Sequence, residues 1–298
     1  MIKNKIILQL KGGIGNQMFQ YAFAKTLALK RNCELYLDTY TGFISDHSFK
    51  RKYELQHLNI NDKKAPLSLI LIYYISKFDL ILRYRNKNKY LFTRPYATFL
   101  FELDHKFNEQ YLNINFNGLL FVNGYWQSPK YFYEYKHQIN QIFHFKIKLS
   151  NHIITLANQM SKENSIAVCL RLYEEVSNPG LLSITGKQKS INELSHQINY
   201  VLNLFIDTKV YIFCTHKPDF ANQLALPNNT TFITADSSYN NSIGTLFLLK
   251  HCKYFLIMNS SFYWWGAYLS KSSELEKSIF VDSNFLNQDI FLDNWIKF

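Results

Sequence analysis

Two short stretches of this chain hold the residue types best suited to chemistry, each where an apolar run gives way to helical spacing. In the first, Gly12, Gly13 and Gly15 lead into Asn16 and Gln17. The apolar run Ile6 to Leu10 precedes them, and Phe19, Ala22, Phe23 and Leu27 follow at helical spacing, which predicts a strand-to-helix turn. Glycines let the backbone turn sharply and approach a ligand closely, and the first N–H groups of a helix attract an anion. Asn16 and Gln17 would then bring two amide side chains to the helix mouth. On the glycines alone, a turn serving only the fold stays equally open, because neither the G-x-G-x-x-G nor the G-K-[ST] phosphate pattern is present. In the second stretch, Asn259, Ser260 and Ser261 stand between a buried strand and a helix, so hydroxyls and N–H groups would converge on a site fit for a diphosphate. An ordinary N-cap accounts for one of these serines. Asp38 closes a short strand at the edge where α/β sheets collect ligands, and is a candidate for orienting a hydroxyl; a helix or turn cap is the plainer alternative.

Repeated strand–helix units must carry these residues. In the C-terminal half, strands are expected at 166–170, 210–214, 231–234 and 254–257, with helices opening at Ser190 and spanning 245–251 and 262–269. Ser190 with Glu193 forms a capping box, and Leu194, Ile198, Val201, Leu202 and Phe205 make that helix's apolar stripe. Such alternation implies a parallel sheet covered on both faces. With the similar opening at the N-terminus, the fold class is α/β, with two Rossmann-like domains whose parallel sheets face a cleft. The expected boundaries are 1–150 and 151–283, with 284–298, including Trp295 and Phe298, packing back on the cleft or the N-terminal domain.

Of the 298 residues 47% are apolar, enough for real cores. No signal peptide or long uncharged apolar span is visible, and Cys33, Cys169, Cys214 and Cys252 lack metal or disulfide spacing, so a reduced, cytoplasmic protein is expected. The net charge of +11 calls for an anionic partner, and without a nucleic-acid module that partner is not expected to be nucleic acid. Residues 66–94 combine a nearly unbroken apolar run with Arg83, Arg85, Lys87, Lys89 and Arg94. A core helix with a solvated basic end is the favoured reading, and peripheral contact with the inner membrane is the other.

Longer patterns join these stretches. Residues 12–28 read G-G-I-G-N-Q-M-F-Q-Y-A-F-A-K-T-L-A; Leu37-Asp38 is followed by Arg51, Tyr53, Glu54 and Leu55; residues 124–132 read G-Y-W-Q-S-P-K-Y-F; and residues 259–269 read N-S-S-F-Y-W-W-G-A-Y-L. Together they resemble the glycosyltransferases of family 11, the bacterial and animal α-1,2-fucosyltransferases. The resemblance implies a GT-B fold and inverting transfer of L-fucose from GDP-β-L-fucose to the 2-hydroxyl of a galactose-like acceptor, free or lipid-linked, in O-antigen synthesis. It implies no metal and no cofactor beyond the GDP-sugar substrate. Arg171 would hold the β-phosphate, Asn259, Ser260 and Ser261 would receive the diphosphate, and Gly13, Gly15 and Asn16 would face the acceptor and the reacting carbon. Glu174 and Asp38 are the nominees for general base. Tyr125 and Trp126 offer ring faces for the acceptor or, more plainly, for packing, while Trp264 and Trp265 are expected to pack. One motif departs from the family: where H-x-R-R-x-D-Y is usual, this chain has Cys169, Leu170, Arg171, Leu172, Tyr173, Glu174 and Glu175. Lys187, Lys189 or His216 could supply the missing charge. That departure points to two alternatives, a related donor such as GDP-colitose that lacks a hydroxyl, or a catalytically silent glycan-binding homologue.

Overall fold

The computed structural model describes the chain apart from residues 1–3, 48, 85–90, 96, 172–189, 206, 216, 218, 225, 235–241, 277, 284, 286 and 298, and apart from the side chains of 76–84, 94 and 220. The chain divides into two compact units, Met1–Lys146 and Ile147–Phe298.

In the first unit, β1 (Lys5–Gln9) runs into α1 (Ile14–Arg31) and returns as β2 (Glu34–Asp38). Then come β3 (Lys63–Lys64), α2 (Leu67–Tyr84), β4 (Leu91–Arg94), β5 (Ala97–Phe101), β6 (Leu119–Asn123) and α3 (Lys136–Ile142). The sheet order is β3-β2-β1-β6-β5-β4. β1 lies parallel to both neighbours, Ile7 standing beside Tyr36 and Phe121. Its residues read as a continuous apolar run because a central parallel strand is covered on both faces. α1 stops where Asn32 takes the left-handed conformation at φ 49°, with Lys30 and Arg31 in its last turn, where cations favour the helix dipole. Edge strand β4 pairs antiparallel with β5, the exception in an otherwise parallel sheet; only Pro95 and Tyr96 separate them, too few residues for a parallel crossover.

The second unit contains α4 (Asn151–Lys162), β7 (Ser165–Cys169), α5 (Ile191–Leu202), β8 (Lys209–Cys214), β9 (Thr231–Thr234), α6 (Ser242–Leu249), β10 (Tyr254–Ile257), α7 (Ser261–Tyr268), β11 (Ile279–Val281) and β12 (Ile296–Lys297). All six strands are parallel, in the order β12-β11-β10-β7-β8-β9. The expected capping box is present at the start of α5, with Ser190 and Glu193 bonding reciprocally. α6 begins at Ser242, earlier than its apolar spacing suggested. Leu194, Ile198 and Val201 of α5 pack on Ile166, Val210 and Ile212 as the stripe required.

Two boundaries differ from expectation. Phe145 bridges to Leu58, and the Lys146 N–H donates to the His57 carbonyl at 2.9 Å, which keeps the chain in the first unit up to Lys146. The C-terminal segment does not stand apart as a third piece: β12 extends the second unit's own sheet beside β11. Trp295 packs at 5.5 Å from Trp264, whose indole N–H donates to the Ile290 carbonyl at 2.8 Å. Both Trp264 and Trp265 are fully buried packing residues. Among the described residues no helix is long and apolar enough to cross a membrane.

Candidate functional site

Each sheet has a switch point where strand order reverses, the place at which open α/β sheets form a crevice beyond their carboxyl ends. In the first unit it lies between β1 and β6, and in the second between β7 and β10. The segments leaving those four strands are the ones the sequence singled out.

Beyond β1, Gly12 sits at φ +73°, a left-handed conformation that favours glycine, and Gly13 is the N-cap of α1. Asn16 is half-buried and its Oδ1 accepts from Gln127 Nε2 at 2.8 Å, so the glycine turn and the segment after β6 are joined directly. Gln17 departs from expectation. It is fully buried, donating to the carbonyls of Gly12 and Lys52, each at 2.8 Å, and accepting from the Glu54 N–H at 3.0 Å. It therefore clamps the Arg51–Leu55 loop to the turn and leaves no amide for a ligand. The clamp places Arg51 beside Gly13, its guanidinium carbon 3.8 Å from where a Gly13 Cβ would stand.

Gly13 has φ −72°, and its added Cβ would meet only that arginine side chain at ordinary contact distance. Gly13→Ala is expected to change stability by less than about 1 kcal/mol in urea unfolding. If a ligand's backbone approach uses this position, as proposed below, the same variant weakens GDP-sugar turnover without a change in fold.

A connected polar network lines the carboxyl edge of this sheet. Gln9 donates to Thr41 Oγ1 at 2.7 Å, and the Thr41 hydroxyl donates to Asp38 Oδ2. Asn123 donates to Gln9 Oε1 and, at 3.1 Å, to the Tyr73 hydroxyl, while accepting from Lys11 Nζ at 2.9 Å. Asp38 is buried, and its Oδ1 takes the N–H groups of Tyr40 and Thr41 at 3.1 and 2.9 Å. This geometry is that of the turn cap, and it corrects the nomination of Asp38 as base: both oxygens serve the turn that follows β2. Trp126 likewise turns inward. It is fully buried and stacks on Phe23 at 4.1 Å, so it builds the core, whereas Tyr125 remains half-buried beneath the Lys11 ammonium at 4.7 Å.

The sequence reading missed Glu102, just beyond β5. Its two carboxylate oxygens accept from the N–H groups of Tyr125, at 2.6 Å, and Trp126, at 3.0 Å, fixing the segment after β6. Its side chain is 4% exposed, and His105 Nδ1 lies 3.9 Å away. A glutamate ending an apolar run, Phe99 to Phe101, was the available signal. Burial raises the Glu102 pKa above its ordinary 4.5, against the lowering pull of the Tyr125 N–H, His105, the Trp126 N–H and Lys11. The folded protein thus keeps this proton to higher pH than the unfolded chain. The stability Glu102 contributes is fullest below 4.5 and declines as pH rises through the raised folded value. Urea midpoints measured across that window should show the decline in wild type and lose it in Glu102→Gln.

In the second unit, Leu170 continues beyond β7 with its N–H donating to the Phe213 carbonyl at 2.8 Å. The buried Tyr263 hydroxyl of α7 lies 3.1 and 3.2 Å from the carbonyls of Leu170 and Phe213. Arg171, half-buried, is the next residue. On the neighbouring strand, where Ile257 stands beside Cys169, the chain leaves β10 through Met258 and Asn259 into α7. Ser260 is the N-cap residue by backbone, in extended conformation, but its side chain makes no cap bond. The capping role that would account for this serine is therefore not the one its hydroxyl performs. Asn259, Ser260 and Ser261 are all half-buried. The structure thus brings Arg171 and the Asn259–Ser261 run to adjacent strand ends of one switch point. Cys169 is wholly buried and its thiol pKa is pushed well up by desolvation, so it is a neutral core residue. Glu174, Lys187, Lys189 and His216 lie outside the described residues.

No family model matches the chain. Alpha-1,2-colitosyltransferase of Escherichia coli is 29% identical over 271 residues, spanning 89% of this chain and 87% of that protein. O-antigen biosynthesis glycosyltransferase WbnK, also of Escherichia coli, is 25% identical over 320 residues, spanning 96% of this chain and 98% of that protein. Among solved structures, a variant of Arabidopsis thaliana FUT1 in complex with GDP superposes with a TM-score of 0.52 at 10% identity, over 90% of this chain and 68% of that one. The fold is of GT-B type. Both sequence relatives are glycosyltransferases, and each runs nearly the whole length of this chain.

Proposed function

We propose that this chain is an inverting glycosyltransferase of the family 11 kind, moving a GDP-linked 6-deoxy sugar to the 2-hydroxyl of a galactose-like acceptor in O-antigen synthesis. The observation that carries the reading is the position of Arg171 and of Asn259, Ser260 and Ser261 beyond the ends of two adjacent strands at the switch point of the second unit. A guanidinium, hydroxyls and a helix N-terminus are the groups a leaving diphosphate needs. The relatives' names and the GDP-bound structural neighbour support it.

In this reading the acceptor oxygen attacks the sugar's anomeric carbon as the bond to the β-phosphate oxygen breaks. GDP departs with the electron pair, and its growing charge is met by Arg171 and the α7 N-terminus. No metal is required for that neutralisation. The acceptor proton passes to a base, and with Asp38 committed to its turn, Glu174 is the nominee carried forward. Gly13, Gly15 and Asn16 serve the sugar and acceptor from the first unit's turn.

L-fucose is the donor that the sequence motifs suggest. Colitose is the second reading, favoured by the name of the 29% identical relative and by Leu172, which removes a polar side chain from the motif beside Arg171. The test is GDP release from GDP-fucose, GDP-colitose and UDP-galactose with a β-galactoside acceptor in EDTA. Acceptor-dependent turnover of one GDP-sugar supports the reading and names the donor. GDP binding without turnover of any donor favours a silent homologue, and no GDP binding overturns the proposal.

A further inference from the structure

From Leu67 to Ile75 helix α2 is apolar except for Ser68, and Leu69 and Tyr73 are the side chains it turns to the sheet. Tyr73 is 4% exposed and packs near Phe99 and Phe121, with Leu69 partly buried in the same cluster. On the other side Leu67, Leu71, Tyr74 and Ile75 are 70%, 51%, 41% and 72% exposed. Their spacing of i, i+4, i+7 and i+8 makes one continuous stripe. Water-exposed stripes of this size mark a surface that is covered in use.

Charge indicates what covers it. Lys63 and Lys64, immediately before the helix, are exposed, and Lys63 stays so despite a 3.5 Å contact with Glu34. Asp62, the nearby acid, is held at 2.9 Å by Lys25. The sequence after the stripe adds Arg83, Arg85, Lys87 and Lys89, in a chain of net charge +11. An apolar stripe that starts beside exposed lysines, in a strongly basic chain, suits a helix lying in the plane of an anionic membrane surface, its apolar side at the acyl boundary and the lysines among the headgroups.

We propose that the exposed face of α2 docks this protein on an anionic lipid bilayer. A second copy of the chain would bury the same apolar residues but would bring two chains of net charge +11 together. The docking stands independently of the transferase reading and is measured without any sugar donor.

The test is flotation of the full chain with phosphatidylcholine vesicles, with and without phosphatidylglycerol, for wild type, Leu71→Gln/Ile75→Gln and Lys63→Glu/Lys64→Glu. All four positions are exposed, so circular dichroism and melting temperature should match wild type. Wild type is expected to float with the anionic vesicles and to be released by salt. The glutamine pair should lower the partition coefficient at least about tenfold, and the charge reversal should weaken the preference for phosphatidylglycerol. Wild type left unbound by anionic vesicles overturns the proposal, as does binding that the glutamine pair leaves intact. Sedimentation showing a wild-type dimer that the glutamine pair dissociates, without vesicle binding, overturns it in favour of self-association.

Discussion

In the proposed transfer, Arg171→Ala is expected to release GDP from the sugar donor about 10²- to 10³-fold more slowly than wild type, the usual cost of removing one group that stabilises developing charge. The backbone that presents this side chain is fixed independently of it. Leu170 is held by its own N–H bond to Phe213 and by the Tyr263 hydroxyl beside its carbonyl, both of which survive the substitution. Half-buried Arg171 lies outside the apolar cluster around β7, so the melting temperature should stay within a few degrees. Arg171→Lys separates charge from geometry. A lysine keeps the cation but loses the planar fork that grips two phosphate oxygens, and should recover only part of the rate. A slower kcat with little change in GDP affinity would place the arginine's contribution in the transition state, and equal losses in affinity and rate would place it in donor binding. An unchanged rate in Arg171→Ala would remove Arg171 from the site.

Legibility in the sequence followed the physics that produced each element. Strands β9 and β10 were readable to the residue because short apolar runs bounded by breakers suit buried parallel strands. The α5 start was readable because a capping box is a local device whose two partners lie three residues apart. Antiparallel β4 was not legible, since pairing direction depends on a contact between segments and not on either alone. Gln17 and Glu102 escaped for the same reason. The first clamps a loop 35 residues away, and the second fixes backbone groups 23 and 24 residues away, so neither leaves a local signature. Asp38 illustrates the converse: its position at a strand end was correct, but a strand end needs a turn before it can serve a ligand, and the turn takes the carboxylate. In α2 the apolar run from Leu67 to Ile75 defines no single face, because one side packs on the sheet and the other is left outside.

Gly42→Ala should be the most damaging single methyl addition in the first unit. Gly42 lies in the 3-10 turn Thr41–Phe43. A Cβ there would stand 2.1 Å from the Leu10 carbonyl oxygen and 3.0 Å from both the Leu10 carbonyl carbon and Lys11 Cβ. The first two are main-chain atoms, so no rotamer change relieves the clash. Nor can the strand end give way easily: the Leu10 N–H donates to the Asp38 carbonyl at 3.1 Å, and Lys11 is gripped by Gln20 through its N–H and carbonyl, each at 3.0 Å. The turn is equally bound, by the two N–H groups that Asp38 Oδ1 accepts. One of these sets must break. Each is a buried or part-buried bond worth about 1–3 kcal/mol when left unmade, so a loss of about 3–5 kcal/mol is expected. In a unit of this size that corresponds to a fall in melting temperature on the order of 10 °C. Urea unfolding of wild type, Gly42→Ala and Gly13→Ala provides the check, because the two glycines are near neighbours of the same crevice with opposite surroundings. If Gly42→Ala melts with wild type, the packing of the 38–43 turn against β1 described above is wrong. If it melts early while Gly13→Ala does not, the polar chain from Asp38 through Thr41, Gln9 and Asn123 to Lys11 depends on this contact, and with it the shape of the crevice proposed to hold the acceptor.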